Sequence, residues 1–209
     1  MAQYFTIHPQ NPQHRLLAQA ARIIRDGGVI AYPTDSCYAF GCHIGDKEAL
    51  ERLRRLRGFD ERRHLTLMCR DLSELGTYAR VNNASYRLLK SLTPGSYTFI
   101  LEATRELPRR ILHPRRKTIG LRVPDHKVAR ALLEELGEPL LSATAILPGD
   151  EQPAPDAQQI ADRLGGGLDL VIDGGACGIE PTTIIDLTGA QTVVIRKGKG
   201  DLAPLGAVE

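Results

Sequence analysis

No stretch of this chain approaches the eighteen or more consecutive apolar residues that a membrane span needs, and its first residues, MAQYFTIHPQ, lack the basic-then-apolar pattern of a secretory signal. The expectation is a soluble, cytoplasmic protein with no membrane partner. Cysteine is sparse: Cys37, Cys42, Cys69 and Cys177 show neither the CxxC spacing of a zinc or redox motif nor the density of a disulfide scaffold, so they read as reduced thiols. Cys37 and Cys42 with His43 nearby lack partners for a metal, and none is assigned. Also missing are a GxSxG elbow, an HExxH pair and a Walker A sequence, which removes the common serine-hydrolase, zinc-protease and P-loop readings. Charge of one sign is not in excess either, since the formal net charge is +2. A protein that coats nucleic acid by bulk charge is thereby disfavoured.

What is present is an alternation of helical and strand patterns over 209 residues, a length that one core can stabilise without metal or disulfide help. Residues 12–26 carry Leu16, Leu17, Ala20, Ile23 and Ile24 at helical spacing, with Asn11 as cap, Pro12 at the first turn and Gly27 as stop. Val29 to Tyr32 is a short apolar strand ended by Pro33. Asp46 starts a second helix that ends at Gly58, with Leu50, Leu53 and Leu56 inward and arginines outward. Leu65–Cys69, Tyr97–Glu102, Thr118–Val123, Pro139–Ala145 and Leu168–Ile172 read as strands. Helices follow Asn82 or Asn83, run from His126 to Leu136, and span Ala157–Leu164. Thr182–Leu187 and Thr192–Ile195 form a hairpin, and the Gly165–Gly167 run reads as a helix exit. The pattern predicts a single α/β domain over residues 1–209, with its core at about 12–200, built on a twisted mixed sheet flanked by helices.

Basic residues gather at 52–63 and again at Arg109, Arg110, Arg115, Arg116 and Lys117, where they can exchange counterions for phosphates of RNA or of a nucleotide. Interspersed Glu48, Glu51, Asp60 and Glu61 leave a solvated, salt-bridged helix face as the competing reading. Small polar loops close several strands: Pro33–Ser36, Ser142–Thr144, Asp173–Gly175 and Pro181–Thr183. Hydroxyls and backbone amides in such loops can hold a carboxylate or phosphates. Singly, each is an ordinary turn.

In order along the chain, GGVIAYPTDSCYAFG, LTPGSYTFIL, KTIGLRVPDH, LGEPLLSATA, DGG, PTTIIDLTG and VVIRKG resemble the YrdC-like superfamily, whose best-known members are threonylcarbamoyl-AMP synthases. The resemblance implies a YrdC-like fold with a concave basic face. It also implies ATP, L-threonine and bicarbonate as substrates, pyrophosphate as a product, and a link to threonylcarbamoyladenosine on tRNA. Magnesium is expected with the ATP, no tightly held cofactor is expected, and tRNA-modification proteins are expected partners. By the same resemblance Thr34, Ser36 and Tyr38 form an amino-acid wall, although Ala39 stands where the family has glycine. Arg122 is an oxyanion clamp or, on the competing reading, half of a buried ion pair. Thr98, Thr182, Thr183 and Arg196 face the nucleotide. Arg57, Ser142 and Thr144 occupy the positions of the catalytic KxR and SxN pairs, each pair incomplete: Phe59 replaces a cation and Thr144 an amide. Arg62 or Arg63 is the expected substitute cation, and Arg115, Arg116 and Lys117 the expected RNA contacts. The wording TPGSYTFIL, RKTIGLRVP and ILPG is similar to the YciO branch of the superfamily. Two readings stay open: a nucleotidyltransferase of the synthase type, and a non-catalytic relative that binds double-stranded RNA or tRNA through the concave face. For Arg122→Ala the expectation is weaker ligand binding with little loss of stability.

Overall fold

A computed structural model of the chain describes residues 1–58, 65–113 and 115–205. Phe59, Asp60, Glu61, Arg62 and Arg63 therefore lie outside the described residues, and with them the replaced cation and its substitutes. Along the chain the elements are β1 (Gln3–Thr6), α1 (His14–Arg25), β2 (Ile30–Tyr32), β3 (Ala39–His43), α2 (Lys47–Arg57), β4 (Thr66–Met68), α3 (Leu72–Tyr78), α4 (Asn83–Leu92), β5 (Tyr97–Glu102), β6 (Thr118–Arg122), α5 (Lys127–Leu136), β7 (Leu140–Thr144), α6 (Ala157–Leu164), β8 (Leu170–Asp173), β9 (Thr183–Asp186) and β10 (Val193–Arg196). The strands form one sheet in the order β1-β8-β2-β3-β7-β4-β6-β5-β9-β10. It is mixed: β4 runs parallel to β6 and β5 to β9, while β7 pairs antiparallel with β3 and β4.

Alternation along the central strands explains the layering. One parity of β7, β4, β6, β5 and β9 places Leu141, Leu67, Leu121, Phe99 and Ile185 in a large apolar core shared with residues of α2, α3, α4 and α6. On the other face a second core joins α1 and α5 to Ile30, Tyr32, Ala39, Met68, Leu140 and Ile172. Those two helices pack on each other and cover only the β8-to-β4 side of that face. Toward β9 the same face carries Thr66, Gly120, Thr98 and Ile184, which line an open hollow.

Helix ends follow local chemistry. Asp46, Asp71, Asn82 and Asp156 each accept an N–H of the first turn, and Gly58 and Gly137 take the left-handed conformation that ends α2 and α5. The first helix departs from expectation. It starts at His14 with Gln13 as an uncapped first residue, because the preceding segment turns on His8, whose Nδ1 accepts from the N–H groups of Gln10 and Asn11 at 3.2 and 3.1 Å. Three elements carried no readable signal. The edge strand β1 is mostly exposed and takes its geometry from parallel pairing with β8, which extends the sheet below the expected core boundary at residue 12. The run AFGCH of β3 is buried on both faces, with Gly41 so close to Tyr32 and Leu140 that a Cβ would lie 2.7 Å from the leucine. At seven residues, α3 is too short to show a period.

The cap of α5 is titratable. His126 Nδ1 accepts the N–H of Ala129, and burial holds the His126 pKa below the usual imidazole value; Asp35 and Asp125 oppose the depression, and Arg122 and Lys199 add to it. A depressed histidine gives its full stabilisation above the unfolded pKa near ~6.5 and loses it as pH falls through the folded value. We expect the melting temperature to drop between about pH 7.5 and pH 5, and His126→Asn, which caps without titrating, to flatten that slope in a pH series of thermal melts.

Candidate functional site

The hollow on the uncovered face has a volume of about 830 Å3 and is lined by Arg57, Ser142, Thr144, Thr98, Thr182 and Arg196, among others. Six of the expected site residues thus meet in one place. Its floor is the second parity of the central strands, where Thr66, Gly120, Thr98 and Ser142 lie beside Ile100 and Ile184. Gly120 keeps that floor low, since a Cβ there would sit 3.2 Å from Leu65 O and from Thr98 Cγ2. Thr98 and Thr182 share a hydrogen bond of 2.8 Å across β5 and the start of β9. Ser142 donates to Phe40 O at 3.0 Å and meets the Tyr32 hydroxyl at 2.8 Å, so its orientation is fixed from the α1/α5 side. Arg57 reaches in from the end of α2 and donates to Ile146 O at 2.9 Å.

Arg196 is the most telling group in the hollow. Its Nε and Nη2 both donate to Thr182 O, at 3.3 and 2.9 Å, and it makes no ion pair with a described carboxylate. Partial burial pushes its pKa below the usual guanidinium value. A guanidinium beside a hollow with no acid partner among the described residues is stabilised by an anion at the same spot.

A second set of expected residues sits beside the hollow rather than in its lining. Arg122 is on the same parity of β6 as Gly120 but is buried against Asp35, with Nη2–Oδ1 at 2.5 Å and both side chains about nine-tenths covered. Asp35 also accepts from Ser96 Oγ at 2.7 Å and from Asp125 N at 3.2 Å, and its carbonyl accepts from Lys199 Nζ. Thr34 spends its hydroxyl inside the same loop, donating to Cys37 O at 2.6 Å and accepting from Ser36 N and Cys37 N. Ser36 Oγ lies 3.2 Å from Thr34 Oγ1. The amino-acid wall is therefore a closed knot of polar groups, in which Arg122 Nε alone is a buried donor without a partner among the described residues.

Several expectations need correction. Arg122 is half of a buried ion pair, so its fork is already engaged. Tyr38 does not join Thr34 and Ser36: it packs in the large core on the opposite parity and donates to Gly175 O at 2.7 Å. Thr183 does not face the hollow with Thr182. It is fully buried one residue further along β9, donating to Gly200 O at 2.7 Å and accepting from Gly198 N at 3.0 Å. Arg115, Arg116 and Lys117 are exposed at the start of β6, the strand that ends at Arg122, about five residues or ~17 Å away. They are absent from the hollow's described lining.

Sequence reasoning missed Asp35, Lys199, Glu151 and Glu180. Asp35 stands inside the PTDS motif, but its pairing with Arg122, 87 residues later, is visible only in the fold. Lys199 follows the Arg-x-Gly motif directly, and that segment is pressed onto the sheet so tightly that a Cβ on Gly198 would lie 2.2 Å from Pro181 O. Glu151 and Glu180 line the hollow from loops and carry no motif. The four cysteines are free thiols, and burial raises the pKa of each, that of Cys177 to about 11. Among the described residues no group of His, Cys, Asp and Glu is arranged to hold a metal ion, and no helix is long and apolar enough to cross a membrane.

The Arg122–Asp35 pair makes the effect of Arg122→Ala larger than the sequence suggests. Removing one partner of a buried pair strands the other charge and costs about 3–5 kcal/mol. We expect that loss in denaturant unfolding of Arg122→Ala, and a smaller one when Asp35→Asn is added to it, because the amide needs no counter-charge.

Residues 22–198 match the Sua5/YciO/YrdC family model, described as telomere recombination. The chain is 56% identical over 204 residues to the YciO protein of Escherichia coli (strain K12), covering 98% of this chain and 99% of that protein. The crystal structure of E. coli YciO superposes with a TM-score of 0.95 over 98% of this chain and 99% of that one. A threonylcarbamoyl-AMP synthase of Nitrosococcus oceani is 37% identical over 156 residues, 74% of this chain and 83% of the synthase. P. abyssi Sua5 complexed with L-threonine is 26% identical and matches with a TM-score of 0.89, over 97% of this chain and 59% of that one. The chain, a single mixed α/β domain that stands nearer to E. coli YciO than to the N. oceani synthase or P. abyssi Sua5, belongs to the Sua5/YciO/YrdC family.

Proposed function

We propose that the hollow binds ATP, entering with magnesium, and that an amino acid binds at its Arg122 end. On this reading the protein is a nucleotidyltransferase of the threonylcarbamoyl-AMP synthase type, linked to tRNA modification. The observation that carries it is Arg196, lining the hollow without a described acid partner, beside the Thr98–Thr182 hydroxyl pair and Arg57. The volume of the hollow lies within the range of small-molecule sites and suits a nucleotide with a small second substrate. The likeness to the synthases, and to a Sua5 complexed with L-threonine, supports the choice of substrates.

The chemistry asked of the site is modest. A carbamate, formed from the amino group and bicarbonate with loss of water, attacks the α-phosphorus through oxygen; that O–P bond forms as the bond to pyrophosphate breaks. Side chains need only align the two and offset charge on the phosphoryl oxygens. Arg196, Arg57 and the two hydroxyls are placed for that. Glu151 and Glu180 add carboxylates to the same lining, so the pocket offsets little of a triphosphate's charge by itself, and magnesium supplies the remainder.

Binding without turnover is the second reading, and the closed knot favours it. With Asp35 already in the fork of Arg122, a substrate carboxylate must compete with a pre-formed buried ion pair. Thr144 in place of an amide removes one planar donor–acceptor pair from the hollow. In this form the protein holds nucleotide as a regulatory ligand and acts through RNA.

Calorimetry separates these readings. Magnesium-ATP is expected to bind, with affinity falling roughly 10-fold in Thr98→Val and roughly 10- to 100-fold in Arg196→Ala. Pyrophosphate release on adding threonine and bicarbonate supports the synthase; heat without release, restored to turnover by Phe59→Arg with Thr144→Asn, supports binding alone. No heat with ATP overturns both.

A further inference from the structure

The Ser142 hydroxyl sits where the covered part of the second face meets the open part, and its hydrogen-bond polarity is set from the covered side. Tyr32 projects from β2 into the core that β2 shares with α1 and α5, and is 1% exposed. Its ring crosses the neighbouring strand at Gly41, where a Cβ would lie 3.0 Å from Tyr32 Cε1, and Gly41 is the register partner of Ser142. The phenol thus reaches over a position kept bare by glycine, and its oxygen lies 2.8 Å from Ser142 Oγ.

Burial decides which of the two hydroxyls donates. Tyr32 has no other hydrogen-bond partner among the described residues, so its proton goes to Ser142 or is left buried without an acceptor, which costs more than the bond is worth. Ser142 has a second acceptor for its own proton, Phe40 O at 3.0 Å. The order is therefore Tyr32 to Ser142 to Phe40. Burial also holds the Tyr32 pKa above the usual phenol value, although the Ser142 bond and the Arg122 charge oppose the rise, so the donor is present throughout the neutral range.

A hydroxyl has one proton and two lone pairs. With its proton on Phe40 O and one lone pair taken by Tyr32, Ser142 has a single lone pair left for the hollow that it lines. Toward β9 the floor has the opposite character. Thr98 and Thr182 hold two protons between them, share one bond and have no other acceptor among the described residues, so one O–H remains to donate near the Arg196 guanidinium. Register keeps the two ends apart: Ser142, Thr66, Gly120 and Ile100 are partners across four adjacent strands, about 14 Å from β7 to β5. Formal charge does not decide what meets Ser142. Arg57, held on Ile146 O, and Glu151, two residues before the Pro153 that bridges to Ile146, line that side together.

We propose that Ser142 is an acceptor-only contact in the hollow, that Tyr32 is the positioning residue that makes it so, and that a ligand must place an O–H donor there. This rests on the proposed function for the nucleotide as occupant. Within a magnesium nucleotide two groups have that chemistry, a sugar hydroxyl and a water carried by the metal ion. An unprotonated phosphate oxygen at the same place meets lone pair against lone pair and is turned toward Arg196 and the threonine pair. Tyr32 is absent from the hollow's described lining, so it acts only through Ser142.

Calorimetry on Ser142→Ala, Tyr32→Phe and the double variant tests the contact. Magnesium-ATP is expected to bind roughly 10-fold more weakly to Ser142→Ala and roughly 3-fold more weakly to Tyr32→Phe, which keeps the acceptor but frees its rotation. If the donor is a sugar hydroxyl, an ATP analogue lacking that hydroxyl is weakened in the parent and loses nothing more in Ser142→Ala. If it is a metal-bound water, such analogues behave as ATP and the Ser142→Ala loss disappears when magnesium is withheld. A loss that persists with every analogue and without magnesium would put a phosphate oxygen there and overturn the proposal, as would no loss at all.

Folding is read separately. Ser142→Ala strands the Tyr32 proton, so its melting temperature is expected to fall, and adding Tyr32→Phe is expected to recover most of that fall but none of the affinity. Recovery of both would make the pair merely structural and overturn the proposal. Tyrosine Raman bands differ between a phenol that donates and one that accepts, so the parent-minus-Tyr32→Phe spectrum reports the polarity directly: a donor upholds it and an acceptor overturns it. No heat with ATP in the parent sinks the nucleotide reading, and the Raman result still decides the polarity of Ser142.

Discussion

One face of the sheet is left uncovered, and that omission organises the molecule. Leu67, Leu121, Phe99 and Ile185 anchor four strands to the large core, so the opposite parity is free of any packing duty once α1 and α5 stop at β4. Thr66, Gly120, Thr98 and Ser142 occupy most of it, with Ile100 and Ile184 toward β9. Large apolar residues at those positions would demand another helix or aggregate. Small polar ones give a hollow whose floor is as rigid as the sheet, which is what alignment of a nucleotide requires.

Charge is distributed over this scaffold with a division that the net value of +2 conceals. At the Arg122 end of the hollow every polar group but one has a partner, and Lys199, Ser96 and Asp125 all hold Asp35 in place. Such a network is stiff and loses heavily when one member is removed. Arg196, a few residues before Lys199, is left with a single carbonyl as its partner. The same short segment thus sends one cation to the carbonyl of Asp35 and one to the hollow, and the close packing of Gly198 on Pro181 fixes both.

Much of this was legible in the chain. Aspartate and asparagine caps, left-handed glycines and the spacing of leucines placed most of the helices, and the motif order brought Thr98, Thr182, Arg196, Ser142 and Arg57 to one site. What escaped reading depended on partners distant in sequence. The strand Gln3–Thr6 is defined by β8, more than a hundred and sixty residues later, as the Tyr4–Asp173 bond shows with its separation of 169. Thr183 was grouped with Thr182 because both are threonines in one motif, yet a strand sends neighbours to opposite faces, and that parity was available from the alternation itself. Alternation does not account for Tyr38, which stands at the same even spacing as Thr34 and Ser36 and enters the large core just before β3 begins. Arg122 could not be decided from sequence, because an arginine beside a carboxylate loop serves a ligand or the fold according to where Asp35 turns.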